Sequence, residues 1–291
     1  MAVVIDGNKV AEDIKSELKV DIQSLTEKFM RPPGLAVILV GNDPASEIYV
    51  NMKKKNCAEI GIKSYEYNLS KDITENELVE LIQSLNKNPG VDGILVQLPV
   101  PAHINEHKVI CAIEPSKDVD GFHPINAGKN VIGLEDGFIP CTPLGCQVLI
   151  NSAVENTSGK HLVVVGRSNI VGKPLANLML QKNKNANCIV TVCHSAVKDI
   201  SIWTRQADIL VSAVGKAKTI TADMVKPGAV IIDVGTNKIM MDGKSRLVGD
   251  VDYEPVSQVA SAITPVPGGV GPMTRAMLLH NTVKAFRQNN N

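Results

Sequence analysis

Two stretches of this chain combine residue types that can bind or move charge. The first is Gly166-Arg-Ser-Asn-Ile-Val-Gly172-Lys-Pro174, which joins the apolar run His161–Val165 to a helix with Pro174 in its first turn. Unpaired N–H groups and the positive end of the helix dipole at such a junction attract phosphate. The glycine spacing is not G-x-G-x-x-G, so an ordinary glycine turn explains it as well. The end of the next strand narrows the reading. Folds that bind NAD place an acid there for the ribose 2′-hydroxyl, whereas this chain has Cys193-His194-Ser195 and no acid before Asp199. Ser195 and Arg167 suit a 2′-phosphate that a carboxylate would repel, which favours NADP over NAD.

The second stretch, Gly41–Lys55, opens a helix on which Ser46, Tyr49 and Lys53 fall at i, i+3 and i+7, sharing one face. Ile48, Met52 and Ile60 offer an adjacent apolar side expected to anchor it. Lys54 and Lys55 read as a solvated charge run; Lys53 fits either that run or a functional amine. Gln97 interrupts the apolar run Ile94–Leu98 just before Pro99, as a buried amide that needs partners or as a sheet-edge hydrogen bond. Asp120 lies in Lys117-Asp-Val-Asp-Gly121, where an Asp-Gly turn is the plain alternative. Ile263–Thr274 holds three prolines and three glycines in an apolar stretch. That composition suits a fixed irregular loop against which a flat ligand could lie. His103-Ile-Asn-Glu106-His107 matches the H-x-x-E-H zinc pattern. Pro99 and Pro101 crowd its start and Asn105 is a helix-cap type inside it, so surface residues and no metal site are expected.

These residues must be positioned by alternating strands and helices. The pattern predicts a helix near 8–29, strand 35–40, a helix from Pro44 to Gly61, strand 63–68, helix 74–87 capped by Thr74, and strand 93–98. Pro, Gly, Asp and Asn over 114–145 predict a loop between domains. The rhythm then restarts with strands 161–165, 188–192, 208–214 and 229–234. Asp242-Gly243 suggests a hairpin, and helices follow near 254–260 and 274–287. The fold class expected is α/β with parallel sheets in two domains.

Composition bounds the function. Thirty basic residues balance thirty acidic ones, and aromatics make up 3%, so nucleic-acid binding is not expected. No apolar run approaches the ~18 residues of a membrane span. Asp6 comes too early for a signal peptide, and six cysteines without a C-x-x-C pair read as reduced thiols of a cytoplasmic protein.

Taken together, Gly41–Lys55, Asp92–Pro101, Lys117–Gly121, Pro140–Gly145, Gly166–Pro174 and Ile263–Thr274 resemble the bifunctional methylenetetrahydrofolate dehydrogenase/methenyltetrahydrofolate cyclohydrolase family over nearly the whole chain. The resemblance implies a folate-binding catalytic α/β domain over 1–140, onto which the C-terminal helix 274–291 packs back. It implies a Rossmann-like NADP-binding domain over 141–273, a cleft between the two, and a homodimer formed through the nucleotide domains. It implies Lys53 as the catalytic lysine and acid/base, Gln97 as its orienting partner, and Tyr49 as the residue that stacks on the folate. Asp120 is the implied pterin-binding acid, and Pro267, Gly268 and Gly269 line the folate site. Gly166, Arg167, Ser168, Ser195 and Thr236 fall at cofactor positions; Thr236 stands where isoleucine is common, and Val197 and Ala217 also depart from the family's usual residues. The implied reactions are NADP-dependent oxidation of 5,10-methylenetetrahydrofolate and hydrolysis of the methenyl product to 10-formyltetrahydrofolate. Two other readings are weaker. Tyr49-x-x-x-Lys53 has the spacing of short-chain dehydrogenases, but there the glycine motif precedes the pair. A binding scaffold without catalysis would not need Lys53, Gln97 and Asp120 together.

Overall fold

The computed structural model describes residues 1–241 and 244–290. In chain order the elements are β1 (Val3–Val4), α1 (Gly7–Phe29), β2 (Gly34–Val40), α2 (Pro44–Ile60), β3 (Lys63–Leu69), α3 (Glu75–Lys87), β4 (Gly93–Val96), α4 (Glu106–Ala112), α5 (Pro124–Ile132) and α6 (Cys141–Ala153). There follow β5 (His161–Val165), α7 (Gly172–Leu180), β6 (Ile189–Cys193), α8 (Ser201–Thr204), β7 (Ile209–Ser212), β8 (Val230–Asp233), β9 (Asn237–Met241), β10 (Lys244–Val248), α9 (Tyr253–Ser257), β11 (Ala262–Ile263) and α10 (Val270–Asn290). They form two compact α/β units, one of Glu12–Asn130, Leu134–Cys141 and the chain from Arg275, the other of Met1–Ala11, Val131–Gly133 and Thr142–Thr274.

The unit beginning at Glu12 holds a three-stranded parallel sheet in the order β3-β2-β4. Every residue of β2 is buried, as a central parallel strand requires, which is why its sequence is an unbroken apolar run. Leu78, Ile82 and Leu85 of α3 cover one face, and the helix starts with a capping box in which Thr74 and Glu77 satisfy each other's backbone donors. Asp92, just ahead of β4, accepts both Arg31 guanidinium bonds at 2.8 Å and the Gly34 amide at 2.7 Å. Arg31 also lies over the Phe286 ring of α10, and Phe286 meets Phe29 edge to face at 5.4 Å.

The other unit is built on a six-stranded parallel sheet in the order β1-β11-β8-β7-β5-β6. Val163, Val165, Leu210, Ile231 and Ile263 form the centre of its core. β9 and β10 pair antiparallel; the Asp242-Gly243 turn expected between them lies outside the described residues. β1 and β11, two residues each, are too short to register as periodic segments.

Three expectations need correction. The 114–145 stretch is not only loop, because α5 and the start of α6 lie in it. Its polar residues misled because they work inside the fold: Asn126 is buried and donates to Asp118 and to the Pro115 carbonyl while accepting from the Phe138 amide. β4 ends at Val96, so Gln97 stands just past the strand. The last helix begins at Val270 rather than 274, since Pro272 in a first turn costs no intrahelical hydrogen bond.

Candidate active site

Asp43 starts α2 by accepting both the Ser46 amide and hydroxyl at 2.8 Å, with Pro44 in the first turn. Ser46, Val50, Cys57 and Ile60 are buried. Lys53 takes the remaining position of that stripe, spaced as helical residues on one face are. Lys54 and Lys55 point to solvent, and Lys54 pairs with Glu66 at 3.0 Å. Of the apolar side expected to anchor the helix, Ile60 is buried in that stripe and Met52 half-buried, but Ile48 is 59% exposed; Tyr49 is 43% exposed.

From that stripe the Lys53 ammonium donates to Gln97 Oε1 at 2.9 Å. Gln97 is fixed at both ends, its backbone N–H on Ile38 O and its Nε2 on Leu98 O, each at 2.8 Å. With the amide nitrogen committed, the oxygen is the atom that faces the lysine, and no flipped amide satisfies both bonds. Gln97 thus has the partners its burial requires.

Asp118 and Asp120 divide the work of the next segment. Asp118 is buried and accepts from the amides of Phe122 and His123 and from Asn126 Nδ2, while Gly121 N closes the turn on Asp118 O at 3.1 Å. Asp120 is not spent on that turn. Burial pushes its carboxyl up from the ordinary range, against the opposing charge of Lys53, with Asp118 adding to the rise. Cys141, at the start of α6, is hydrogen-bonded to Asp120, and burial raises its thiol well above the usual value. Lys53, Gln97, Asp120 and Cys141 therefore share one electrostatic neighbourhood. Arg275 on α10 lies within electrostatic reach of Tyr49, a proximity that spacing along the chain does not signal.

In the six-stranded unit, a cavity of about 320 Å³ opens beyond the ends of β5, β6 and β7, lined by Gly166, Arg167, His194, Ser195, Val214 and Thr219 among others. This is where a parallel α/β sheet binds a ligand. None of these lining residues is acidic, and Arg167 Nη1 stands 3.5 Å from His194 Nε2. Three of the expected cofactor residues, Gly166, Arg167 and Ser195, meet here. Gly166 passes so close to Ala213 O that a Cβ would overlap it. Ser168 is exposed and closes the turn: its hydroxyl accepts from the amides of Val171 and Gly172, and its carbonyl from that of Lys173. The free helix amides expected at this junction are thus partly consumed by the chain itself, and the cavity wall and Arg167 are what remain for a ligand. Thr236 is exposed after β8 and is not among those lining residues.

Within the same unit the Pro/Gly segment leaves β11 and is tied to the sheet by Thr264, whose N–H donates to Ile231 O and whose hydroxyl accepts from Asp233 N at 2.8 Å. Pro267 is exposed and Gly269 buried. Gly269 packs on Gly7, where a Cβ would overlap its carbonyl oxygen. The H-x-x-E-H match is broken by structure: Asn105 caps α4 through Lys108 N, the helix starts at Glu106, and His103 precedes it, bonded to Ile73 O at 2.9 Å. Among the described residues no group of three or more His, Cys, Asp or Glu is arranged to hold a metal.

Comparison with known proteins agrees over both units. Residues 5–120 match the family described as "Tetrahydrofolate dehydrogenase/cyclohydrolase, catalytic domain", and residues 140–290 its "NAD(P)-binding domain". A "Bifunctional protein FolD" of Chlorobium luteolum is 58% identical over 99% of each chain. The crystal structure of a bifunctional FolD methylenetetrahydrofolate dehydrogenase/cyclohydrolase from Campylobacter jejuni superposes with a TM-score of 0.94 at 50% identity, covering 99% of both chains. A Trypanosoma brucei methylenetetrahydrofolate dehydrogenase-cyclohydrolase, solved with NADP cofactor and an inhibitor, superposes with a TM-score of 0.92 at 38% identity, over 99% of this chain and 98% of that one. On its sequence, its fold and the residues that meet in each unit, the chain belongs to the tetrahydrofolate dehydrogenase/cyclohydrolase family.

Proposed function

We propose that this chain oxidises 5,10-methylenetetrahydrofolate with NADP⁺ and then hydrolyses the methenyl product to 10-formyltetrahydrofolate. The observation that carries the reading is the Lys53–Gln97 hydrogen bond beside Asp120, within a chain of this family. The folate-binding and catalytic role falls to residues 1–140 and the nucleotide-binding role to residues 141–273, with the final helix serving the first.

NADP⁺, when bound, accepts the hydride from the one-carbon bridge of the folate. The cavity at Arg167 fits it in chemistry: a guanidinium suits a 2′-phosphate, and no acid among the lining residues opposes one. In that reading Gly166 lets the backbone come close, Ser195 and Arg167 hold the 2′-phosphate, Ser168 shapes the turn beneath, and Thr236 borders the site through its main chain. Asp120 accepts from the pterin, Tyr49 stacks on it, and Pro267, Gly268 and Gly269 line its site.

Hydrolysis asks more of the protein. Water adds to the cationic methenyl carbon and gives up a proton; one carbon–nitrogen bond then breaks and that nitrogen takes a proton back. Lys53 is the group that carries those protons, and Gln97 holds its amine in place. Tyr49 contributes by keeping the ring aligned.

A homodimer through the six-stranded unit accords with β6 being an edge strand that leaves Ile189 and Val192 exposed. A cytoplasmic setting accords with six free cysteines, five of them buried. Among the described residues no helix is long and apolar enough to cross a membrane.

Absorbance of the methenyl product tests the whole reading. Purified protein given methylenetetrahydrofolate and NADP⁺ should form NADPH with only transient methenyl-folate, and supplied methenyl-folate should decay without any nucleotide. Absence of NADPH formation would refute the oxidation, and stable methenyl-folate the hydrolysis.

A further inference from the structure

Asp250 follows β10 in the six-stranded unit and is fully buried. Its Oδ2 accepts the amides of Val214 at 2.6 Å and Gly215 at 3.0 Å, and its Oδ1 accepts Lys216 N at 3.0 Å and Asn237 Nδ2 at 2.9 Å. Ser212 Oγ stands 3.5 Å from Oδ2. Three successive backbone N–H groups converging on one anion are the arrangement loops use to bind phosphate. This loop has filled its own anion hole with a side chain. The bend that aims the amides places Gly215 at φ +72, and nothing within 4 Å would obstruct a Cβ there, so it is the backbone conformation that asks for glycine.

The carboxylate is itself held from below. Asp250 N and Val251 N donate to Asp233, which also accepts Gly235 N, each at 2.9 Å. Asp250 O accepts Ile220 N at 3.0 Å. Gly235 packs so tightly on Asp250 that a Cβ would overlap the carboxylate. One side chain therefore ties the loop after β7 to the start of β9. Ala213, Val214 and Thr219 of that loop line the cavity that also holds Arg167 and Ser195.

We infer that Asp250 is a positioning residue for the nucleotide: by gathering the amides of Val214, Gly215 and Lys216 it sets the wall against which NADP⁺ lies, without touching the ligand. The inference rests on reading this cavity as the NADP site. It explains why an acid sits behind a pocket for an anionic ligand, since its charge is spent on backbone donors and Asn237 and none is left facing the cavity.

The test uses the full-length wild type, Asp250→Asn and Asn237→Ala. Asparagine keeps the size but puts an N–H₂ where an amide donor now bonds, so Asp250→Asn should raise the KM for NADP⁺ by about tenfold or more. The kcat at saturating nucleotide and the hydrolysis of supplied methenyl-folate, which needs no nucleotide, should stay near wild type. Hydrogen exchange at residues 214–216 should speed up. Asn237→Ala removes one donor and should raise that KM by about threefold. An unchanged KM in folded Asp250→Asn, or equal losses in both activities, would overturn the inference. If Asp250→Asn does not fold, an unchanged KM in Asn237→Ala overturns it. Failure of the wild type to saturate with NADP⁺ would instead sink the nucleotide reading, and the inference with it.

Discussion

The Lys53 ammonium meets the Gln97 amide oxygen at 2.9 Å across 44 residues of chain, and Gln97 is held in turn by Leu98 O and Ile38 O. Of these three hydrogen bonds of Gln97, two go to backbone carbonyls, one within β2 and one just past the end of β4. The lysine is thus oriented by the sheet, not by its own helix alone.

That geometry predicts separable activities at Lys53. Lys53→Met keeps the stem's length and deletes the ammonium. Hydrolysis should fall by ~10²–10⁴-fold, the usual contribution of a positioned acid/base, while hydride transfer remains measurable and methenyl-folate accumulates. Steady-state rates of both reactions decide it. An equal fall in both, in a well-folded variant, would make Lys53 a shared binding residue.

Asp120→Ala should weaken folate binding by roughly ten- to a hundredfold, the loss of one charge-assisted hydrogen bond, and leave NADP⁺ binding nearly unchanged. Calorimetry with each ligand separates the outcomes. Similar losses for both ligands would mean that the residue supports the fold, as Asp118 does.

Arg167→Ala should raise the KM for NADP⁺ strongly and for NAD⁺ little, because only the first carries a 2′-phosphate. The ratio of the two KM values is the readout. A ratio unchanged from wild type would remove Arg167 from cofactor choice.

Asp92→Ala should destabilise the protein by about 1–3 kcal/mol, because it leaves the buried Gly34 amide without its acceptor and takes the carboxylate from a partly exposed Arg31, which keeps its bonds to Pro32 O and Asn290 Oδ1. Urea denaturation measures this, and a loss under ~1 kcal/mol would show that water replaces the carboxylate there.

Burial, reinforced by Asp250 and opposed by three backbone donors, pushes the Asp233 carboxyl up to about 6 from 3.8. The folded chain therefore holds this proton more tightly than the unfolded chain. The resulting stability, ~3 kcal/mol at 1.36 per pH unit, is complete below pH ~4 and lost as pH rises through ~6. Melting temperatures between pH 4 and 7.5 should fall more steeply for wild type than for Asp233→Asn, which cannot titrate. Parallel curves would contradict the assignment.

Local chemistry decided a good deal of this protein. The apolar run of β2, the Thr74 capping box and the Pro44 start of α2 are written in neighbouring residues, because each depends on contacts a few positions apart. The family, and with it the α/β architecture, was likewise legible, since six short motifs keep their order along the chain. Tertiary structure decided what those motifs do with their atoms. Lys53 is distinguished from Lys54 and Lys55 only by a sheet that brings Gln97 beneath α2. Asn126 and Asn130 look like loop residues until the fold buries them, as hydrogen-bond partners can be counted only once distant segments have met. Asp250 shows the same limit most sharply. Nothing beside it in sequence marks it as the anchor of the loop at 214–216, because the amides it gathers lie more than thirty residues away and become its neighbours only when the parallel strands align.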